Sequence, residues 1–160
     1  MCLPGKTAQE SRIILTQLMG PADANFHGNV HGGLIMKLCD EAGGMAASKH
    51  ARCLAVTVTV DSMTFHSPVH IGDLITVTAE VSWVGRTSLE TRVVVTTEDV
   101  ISGKMTHSNT AYFVYVALDE KGVPTQVAPL ICDTEESQAR FERAAQRQRA
   151  RLEQRRQDIL

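Results

Sequence analysis

Four stretches with strand character follow one another with only turns between them, and one long helical pattern precedes them all. In 74–84, Ile75, Val77, Ala79, Val81 and Trp83 alternate with Leu74, Thr76, Thr78, Glu80 and Ser82. That period of two marks a strand with one buried face. Segment 55–61 alternates Val with Thr or Ala, and 88–97 and 105–118 are rich in β-branched and aromatic residues. Ser67-Pro68, Ile71-Gly72-Asp73, Val84-Gly85-Arg86, Ser102-Gly103 and residues 119–122 supply the turns. Strands with no helix between them argue for an antiparallel sheet, hence an α+β fold rather than a doubly wound one. One helix covers one face of such a sheet. The other face and the edges also need cover, and a homo-oligomer is the economical solution.

The helical pattern covers roughly 31–50, with Asn29 before it as the expected cap. At 100° per residue, Leu34, Ile35, Leu38, Ala42 and Met45 share one face, and Met36, Asp40, Gly43, Gly44 and Ala47 the opposite one. A helix apolar or small all round is buried on more than one side. Gly43 and Gly44 each cost about 1 kcal/mol against Ala there, which close approach of another backbone would explain. Asp40 is therefore expected at a crowded, partly desolvated interface, either as a useful carboxylate or as one bonded to a neighbouring backbone or water. Just upstream, Asn25, Gly28, Gly32 and Gly33 punctuate the loop DANFHGNVHGG. Free N–H groups at a helix start polarise carbonyls and hold developing oxyanions. A plain tight turn is the alternative.

The chain has 160 residues, the size of one domain, with 43% hydrophobic and 21% charged residues. A net charge of −2 gives no global attraction to nucleic acid. The longest apolar run, 111–118, is far short of the roughly 20 residues of a membrane span. The opening MCLPGKTAQESR lacks the apolar core of a secretory signal, and Cys2, Cys39, Cys53 and Cys132 are scattered, so a reduced cytoplasmic protein is expected. Cys39 reads as a packed small hydrophobe rather than a nucleophile. His27–His31 and His66–His70 have metal-like spacing but no third ligand, so no metal is expected. Residues 13–19 read as an apolar patch ending a leader. In the tail, Arg140, Arg143, Arg147, Arg151 and Arg155 form one helical stripe. It reads as a solvated helix on the oligomer surface, with phosphate or nucleic-acid binding as the alternative.

Four motifs then carry a family resemblance: NFHGNVHGGLIMKLCDEAGGMAA, VDSMTFHSPVHIGD, WVGRTSLE and AYFVYVALDEKGVPTQVAPL. In order and spacing they resemble the hotdog-fold acyl-CoA thioesterases, both the bacterial short single-domain type and the hotdog units of vertebrate cytosolic acyl-CoA hydrolases. The resemblance spans about residues 8–130. It implies a long central helix wrapped by a curved antiparallel sheet over 1–130, and a charged C-terminal helical extension over 131–160. It also implies a dimer with one continuous sheet, commonly assembled into hexamers or tetramers. The family's catalytic acid falls on Asp40. Its polar partner, from the facing subunit, falls on Asn25, and the helix-start oxyanion region falls on Gly32 and Gly33. Gly85, Arg86, Thr87 and Ser88 match the segment lying against CoA, with Arg86 as the phosphate partner. Phe65 and His66 are expected to border the substrate channel, a turn histidine being the alternative for His66.

Thioester hydrolysis needs a polarised carbonyl, an activated water or nucleophile, and departure of a thiol, none of which demands a cofactor. Asp40 serves either as general base or by direct attack to a mixed anhydride. Two other readings stay open: a hotdog acyl thioester dehydratase or hydratase, which relies on a His with its acid, and a non-enzymatic acyl-CoA sensor.

Overall fold

Small residues let the long helix lie close against the sheet. In a computed structural model, which describes residues 3–157, α2 (Gly32–Ala51) buries Ile35, Leu38, Cys39, Ala42, Gly43, Ala46, Ala47 and His50. Around it run β1 (Lys6–Thr7), α1 (Ala8–Ser11), β2 (Ile13–Leu18), β3 (Leu54–Phe65), β4 (Leu74–Val84), β5 (Ser88–Asp99), β6 (Lys104–Leu118), β7 (Leu130–Ile131) and α3 (Glu135–Gln157). Five strands form one sheet in the order β2-β4-β5-β6-β3, every neighbour antiparallel. β1 and β7 make a small parallel ribbon beside it. The inward positions of β4 (Ile75, Val77, Ala79 and Val81) pack against α2 with Val93, Val95, Ala111 and Phe113 of the next two strands. The alternation read from 74–84 is thus the core face itself.

Three expectations change. The apolar patch before Pro21 is the edge strand β2, paired with β4 from Ile13↔Ala79 to Leu18↔Leu74. IILTQL lacks clean alternation because an edge strand needs only part of one face buried. The helix cap is His31, not Asn29: its Nδ1 accepts from the Gly33 N–H at 2.9 Å. Gly43 is required by side chains rather than by another backbone. A Cβ there would sit 2.5 Å from the Tyr115 hydroxyl and 2.8 Å from Thr91 Oγ1, whereas one at Gly44 would meet only ordinary contact at 3.5 Å.

The C-terminal Arg stripe is solvated only in part. α3 lies on the outer face of the sheet, and Arg140, Arg147 and Arg151 point into it. Glu90 of β5 is fully buried and accepts from Arg147 at 2.7 and 3.2 Å, Arg151 at 3.0 Å and Ser82 at 2.8 Å. Arg147 also lies 3.8 Å over the Tyr112 ring, Arg140 pairs with Glu80 at 3.0 Å, and Arg151 pairs with Asp61 at 3.1 Å. Arg155 reaches the Thr59 hydroxyl at 2.9 Å, while Arg143 stays exposed. A carboxylate so buried persists only when paired and hydrogen-bonded, and these arginines provide both.

At the far end of α2, His50 is wholly buried. Its Nε2 lies 3.0 Å from the Ala128 carbonyl and its Nδ1 3.2 Å from Ser11 Oγ. A carbonyl only accepts, so Nε2 carries the proton and Nδ1 accepts from Ser11. Burial lowers the pKa of His50 below its ordinary 6.5. As pH falls, the unfolded chain takes up this proton first. The stability from the neutral ring is therefore full above about pH 6.5 and lost as pH falls through that point towards the depressed folded value. Thermal unfolding should show Tm dropping from about pH 7 to about pH 5.5. His50→Gln should flatten that slope. An unchanged slope would mean that other groups carry it.

Candidate active site

Asp40 sits mid-way along α2 with its carboxylate directed at β3 and β6. Thr57 Oγ1 donates to Asp40 Oδ1 at 2.7 Å, and the Tyr115 hydroxyl donates to the same oxygen and to the Asp40 carbonyl, both at 3.1 Å. Oδ2 makes no hydrogen bond among the described residues. Neither hydroxyl was foreseen from the sequence. The signal was faint: Thr57 is one of several Thr in an alternating strand, and Tyr115 reads as core. Only the register Thr57↔Tyr115 puts them side by side beneath the helix.

The loop before α2 folds onto itself. Asn25 Oδ1 accepts from the His27 N–H at 2.9 Å and the Asn29 N–H at 3.3 Å, and the Asn25 N–H donates to the Asn29 carbonyl at 2.7 Å. Gly28 takes a φ of +87°, which side chains rarely adopt. With Oδ1 engaged, the Asn25 Nδ2 is the end left for a ligand. At the helix start, Leu34 N–H bonds the His31 carbonyl at 3.0 Å and Gly33 N–H bonds the His31 ring. Gly33, expected to offer its N–H, already has this partner. One residue earlier, the Gly32 N–H has no hydrogen-bond partner among the described residues.

Asn25, Gly32, Ile35, Phe65, His66 and Val69 line one cavity of about 360 Å³. Four expected site residues thus converge: Asn25, Gly32, Phe65 and His66. Asp40 is not among its walls. It lies eight residues beyond Gly32, about 12 Å along the helix axis at 1.5 Å per residue. Within one chain, Asn25 in the loop before α2 and Asp40 mid-way along the helix do not meet.

The turn between β4 and β5 holds the other group. Arg86 is exposed there, and its carbonyl accepts from Val127 N–H at 3.0 Å. Gly85 has a packing reason of its own: a Cβ would lie 2.6 Å from the Trp83 ring. Thr87 and Ser88 line a second cavity of about 170 Å³ with Thr59, Arg151 and Arg155, on the sheet face under α3.

The histidines are dispersed. His31 caps the helix, His70 lies 3.5 Å from Asp73, and the His66 ring centre is 5.5 Å from that of His107. Among the described residues, no group of three His, Cys, Asp or Glu could hold a metal ion. No described helix is long and apolar enough to cross a membrane.

Comparison with known proteins places this geometry. Residues 27–104 match the Thioesterase superfamily model. A cytosolic acyl coenzyme A thioester hydrolase of Rattus norvegicus is 37% identical over 85% of this chain, which spans only 36% of that protein's length. Protein VdlD of Helicobacter pylori is 34% identical over 91% of this chain and 83% of its own. Among solved structures, an acyl-CoA hydrolase from Staphylococcus aureus, in complex with butyryl coenzyme A and coenzyme A, superposes with a TM-score of 0.90. It is 31% identical and covers 98% of this chain and 95% of its own. An apo hexameric acyl-CoA thioesterase superposes at 0.91, with 32% identity over 95% and 97% of the two chains. The chain belongs to the thioesterase superfamily, among the hotdog-fold acyl-CoA thioesterases.

Cys39, adjacent to Asp40, is fully buried, and burial pushes its thiol up to about 12. A thiol so placed is not a nucleophile near neutral pH. Alkylation of the native protein near pH 8, followed by peptide mass mapping, should leave Cys39 unmodified while Cys53 and Cys132 react. Labelling of Cys39 before denaturation would contradict the packed role.

Proposed function

We propose that this chain hydrolyses acyl-CoA thioesters to the free acid and CoA, with Asp40 as the reacting carboxylate. The observation that carries this reading is the asymmetry of that carboxylate: Oδ1 is held by Thr57 and Tyr115, and Oδ2 is left unengaged. Oδ2 either takes a proton from the attacking water or attacks the thioester carbonyl itself. In the second route, the new C–O bond forms as the C–S bond breaks, CoA leaves as thiolate, and water then cleaves the mixed anhydride. The Gly32 N–H, at the positive end of α2, polarises the carbonyl, and Gly33 adds its own once the His31 ring turns aside. Asn25 Nδ2 orients water or substrate. No histidine hydrogen-bonds Asp40 among the described residues, which weighs against the dehydratase reading.

The relatives support the assignment. Alanine variants of the Staphylococcus aureus enzyme were solved at an Asn, at an Asp fifteen residues later and at a Thr seventeen further on. Asn25, Asp40 and Thr57 stand at the same intervals.

The reaction site is shared between two copies. β3 is an edge strand, and Leu54, Val58, Val60 and Phe65 on it are exposed, as are Met36 and Met45 on α2. Pairing of two β3 edges covers this apolar rim and brings the Asn25 cavity of one copy to Asp40 of the other; the hexameric relatives fit further assembly. The catalytic unit is residues 1–130, with 131–160 backing the sheet. CoA enters as substrate, and the enzyme works in the cytoplasm with no metal or cofactor. Arg86, exposed at its turn, meets a CoA phosphate, with Gly85, Thr87 and Ser88 beside it.

Thiol release from a panel of acyl-CoAs, with and without chelator, tests the activity. Asp40→Asn should lower kcat at least ~10²-fold, and Asn25→Ala should lower it too. Co-refolded mixtures of the two variants should regain activity absent from either, because a mixed dimer holds one intact composite site. Mixing without recovery would refute the shared site, and thiol release lost to chelator and restored by zinc or magnesium would refute the metal-free mechanism. Arg86→Ala should raise KM for acyl-CoA more than it lowers kcat, since a phosphate contact is mostly uniform binding. An unchanged KM would remove Arg86 from the site.

A further inference from the structure

Tyr115 lies towards the C-terminal end of β6, fully buried, with its ring among core side chains. Its hydroxyl nevertheless crosses the helix–sheet interface to Asp40, reaching both Oδ1 and the backbone carbonyl at 3.1 Å. The space it occupies is kept open. A Cβ on Gly43 would fall 2.5 Å from this hydroxyl and 3.3 Å from Cζ, so any residue but Gly at that position displaces the phenol tip. Thr91 Oγ1 borders the same gap, buried and without a hydrogen-bond partner among the described residues.

We infer that Tyr115, seated in the gap left by Gly43, is the positioning residue that fixes the rotation of the Asp40 carboxylate and leaves Oδ2 as its single reactive oxygen. The inference rests on the proposed role of Asp40. A carboxylate on a helix turns about its terminal torsion, which is broad and roughly two-fold. Thr57 holds the same oxygen at 2.7 Å, but its Oγ1 moves with the χ1 torsion of a short side chain that is exposed within one chain. Tyr115 is different. Its ring is held on both sides by the core, so its hydroxyl is a fixed point in the site. Burial and the Asp40 charge push the phenol's pKa well above its ordinary value, so it stays protonated and keeps a proton to donate to Asp40. The oxygen it holds is thereby withdrawn from proton transfer. The paired helix glycines take their meaning from the same contact: Gly43 clears the hydroxyl, and Gly44 meets only the ring edge at 3.5 Å.

The test is steady-state thiol release by Tyr115→Phe, which keeps the ring and removes only the donor. The expected result is a fall in kcat of about 10-fold, the order of one charge-assisted hydrogen bond. KM for acyl-CoA should stay within about twofold, because no substrate contact is lost. Gly43→Ala reaches the same bond from the helix side and should give a similar fall in kcat. The double variant should add little to either single loss, since both remove one interaction. Wild-type kcat in folded Tyr115→Phe, beside an inactive Asp40→Asn, would overturn the role of Tyr115 alone. Full activity in Asp40→Asn would overturn the reading beneath it as well. A kcat per folded molecule equal to wild type, with only Tm lowered, would mark Tyr115 as a packing residue and also overturn the inference.

Discussion

The distance between α2 and the sheet governs the structure. Cys39, Ala42, Ala46 and Ala47 are completely buried against the strands, and none is large enough to hold the helix away. Interiors are close-packed, so a helix this near the sheet leaves no slack for a larger side chain. Gly43 is the limiting case, because the opposing group at that point is polar. A phenol at the end of a rigid ring spans the interface and meets the helix where a methyl group would not fit. Packing and chemistry coincide there: the contact that seats the helix also holds the carboxylate.

The two faces of the sheet divide the work. Along β5, Glu90 points outward to Arg147 and Arg151, and its neighbour Thr91 points inward to Gly43. Along β6, Tyr112 carries Arg147 on one face and Tyr115 reaches Asp40 on the other. Because strand side chains alternate, the residues that anchor α3 and those that build the site sit an odd number of positions apart on the same backbone, one along β5 and three along β6. A charged helix covering the back of a sheet is unusual cover, since ion pairs offset their own desolvation only when well paired. Here Arg140, Arg147 and Arg151 each find a carboxylate on the sheet, and the guanidinium on Tyr112 adds a stacked contact.

The strands, their order of appearance and the long helix were legible because each has a clean period and turn residues between. β2 was not, because IILTQL shows no alternation and becomes a strand only by pairing along β4. The Arg stripe was legible as a helix, but its direction was not. A period of three to four places residues on one face without saying whether that face meets water or buried acids, and Glu80 and Glu90 lie far away in sequence. Asp40, Asn25 and the loop glycines stood out as chemistry in an otherwise small and apolar stretch. Thr57 and Tyr115 did not, since a threonine and a tyrosine in strands look like ordinary sheet residues until register sets them beneath the carboxylate. The helix cap slipped from Asn29 to His31 for a related reason: the asparagine is engaged in closing its own loop onto Asn25 and the histidine ring is the group that reaches the first turn.

Asp40 of a single chain is an incomplete device. Its free oxygen lies beside Thr57 on the exposed edge of β3. There water would solvate it and screen the helix-start N–H groups that are to polarise a carbonyl. Preorganised dipoles act strongly only where water is excluded. The cavity that carries Asn25 and Gly32 has the converse defect, a place for a carbonyl but no carboxylate among its walls, Asp40 of the same chain lying about 12 Å further along the helix. Each half lacks what the other holds, and both lie along the same uncovered apolar rim. Under the proposed shared site, joining two chains at that rim would exclude the water and supply the missing partner in one step. Dimerisation then belongs to the chemistry of the proposed reaction as much as to stability, and a chain that folds well alone would still lack a working site.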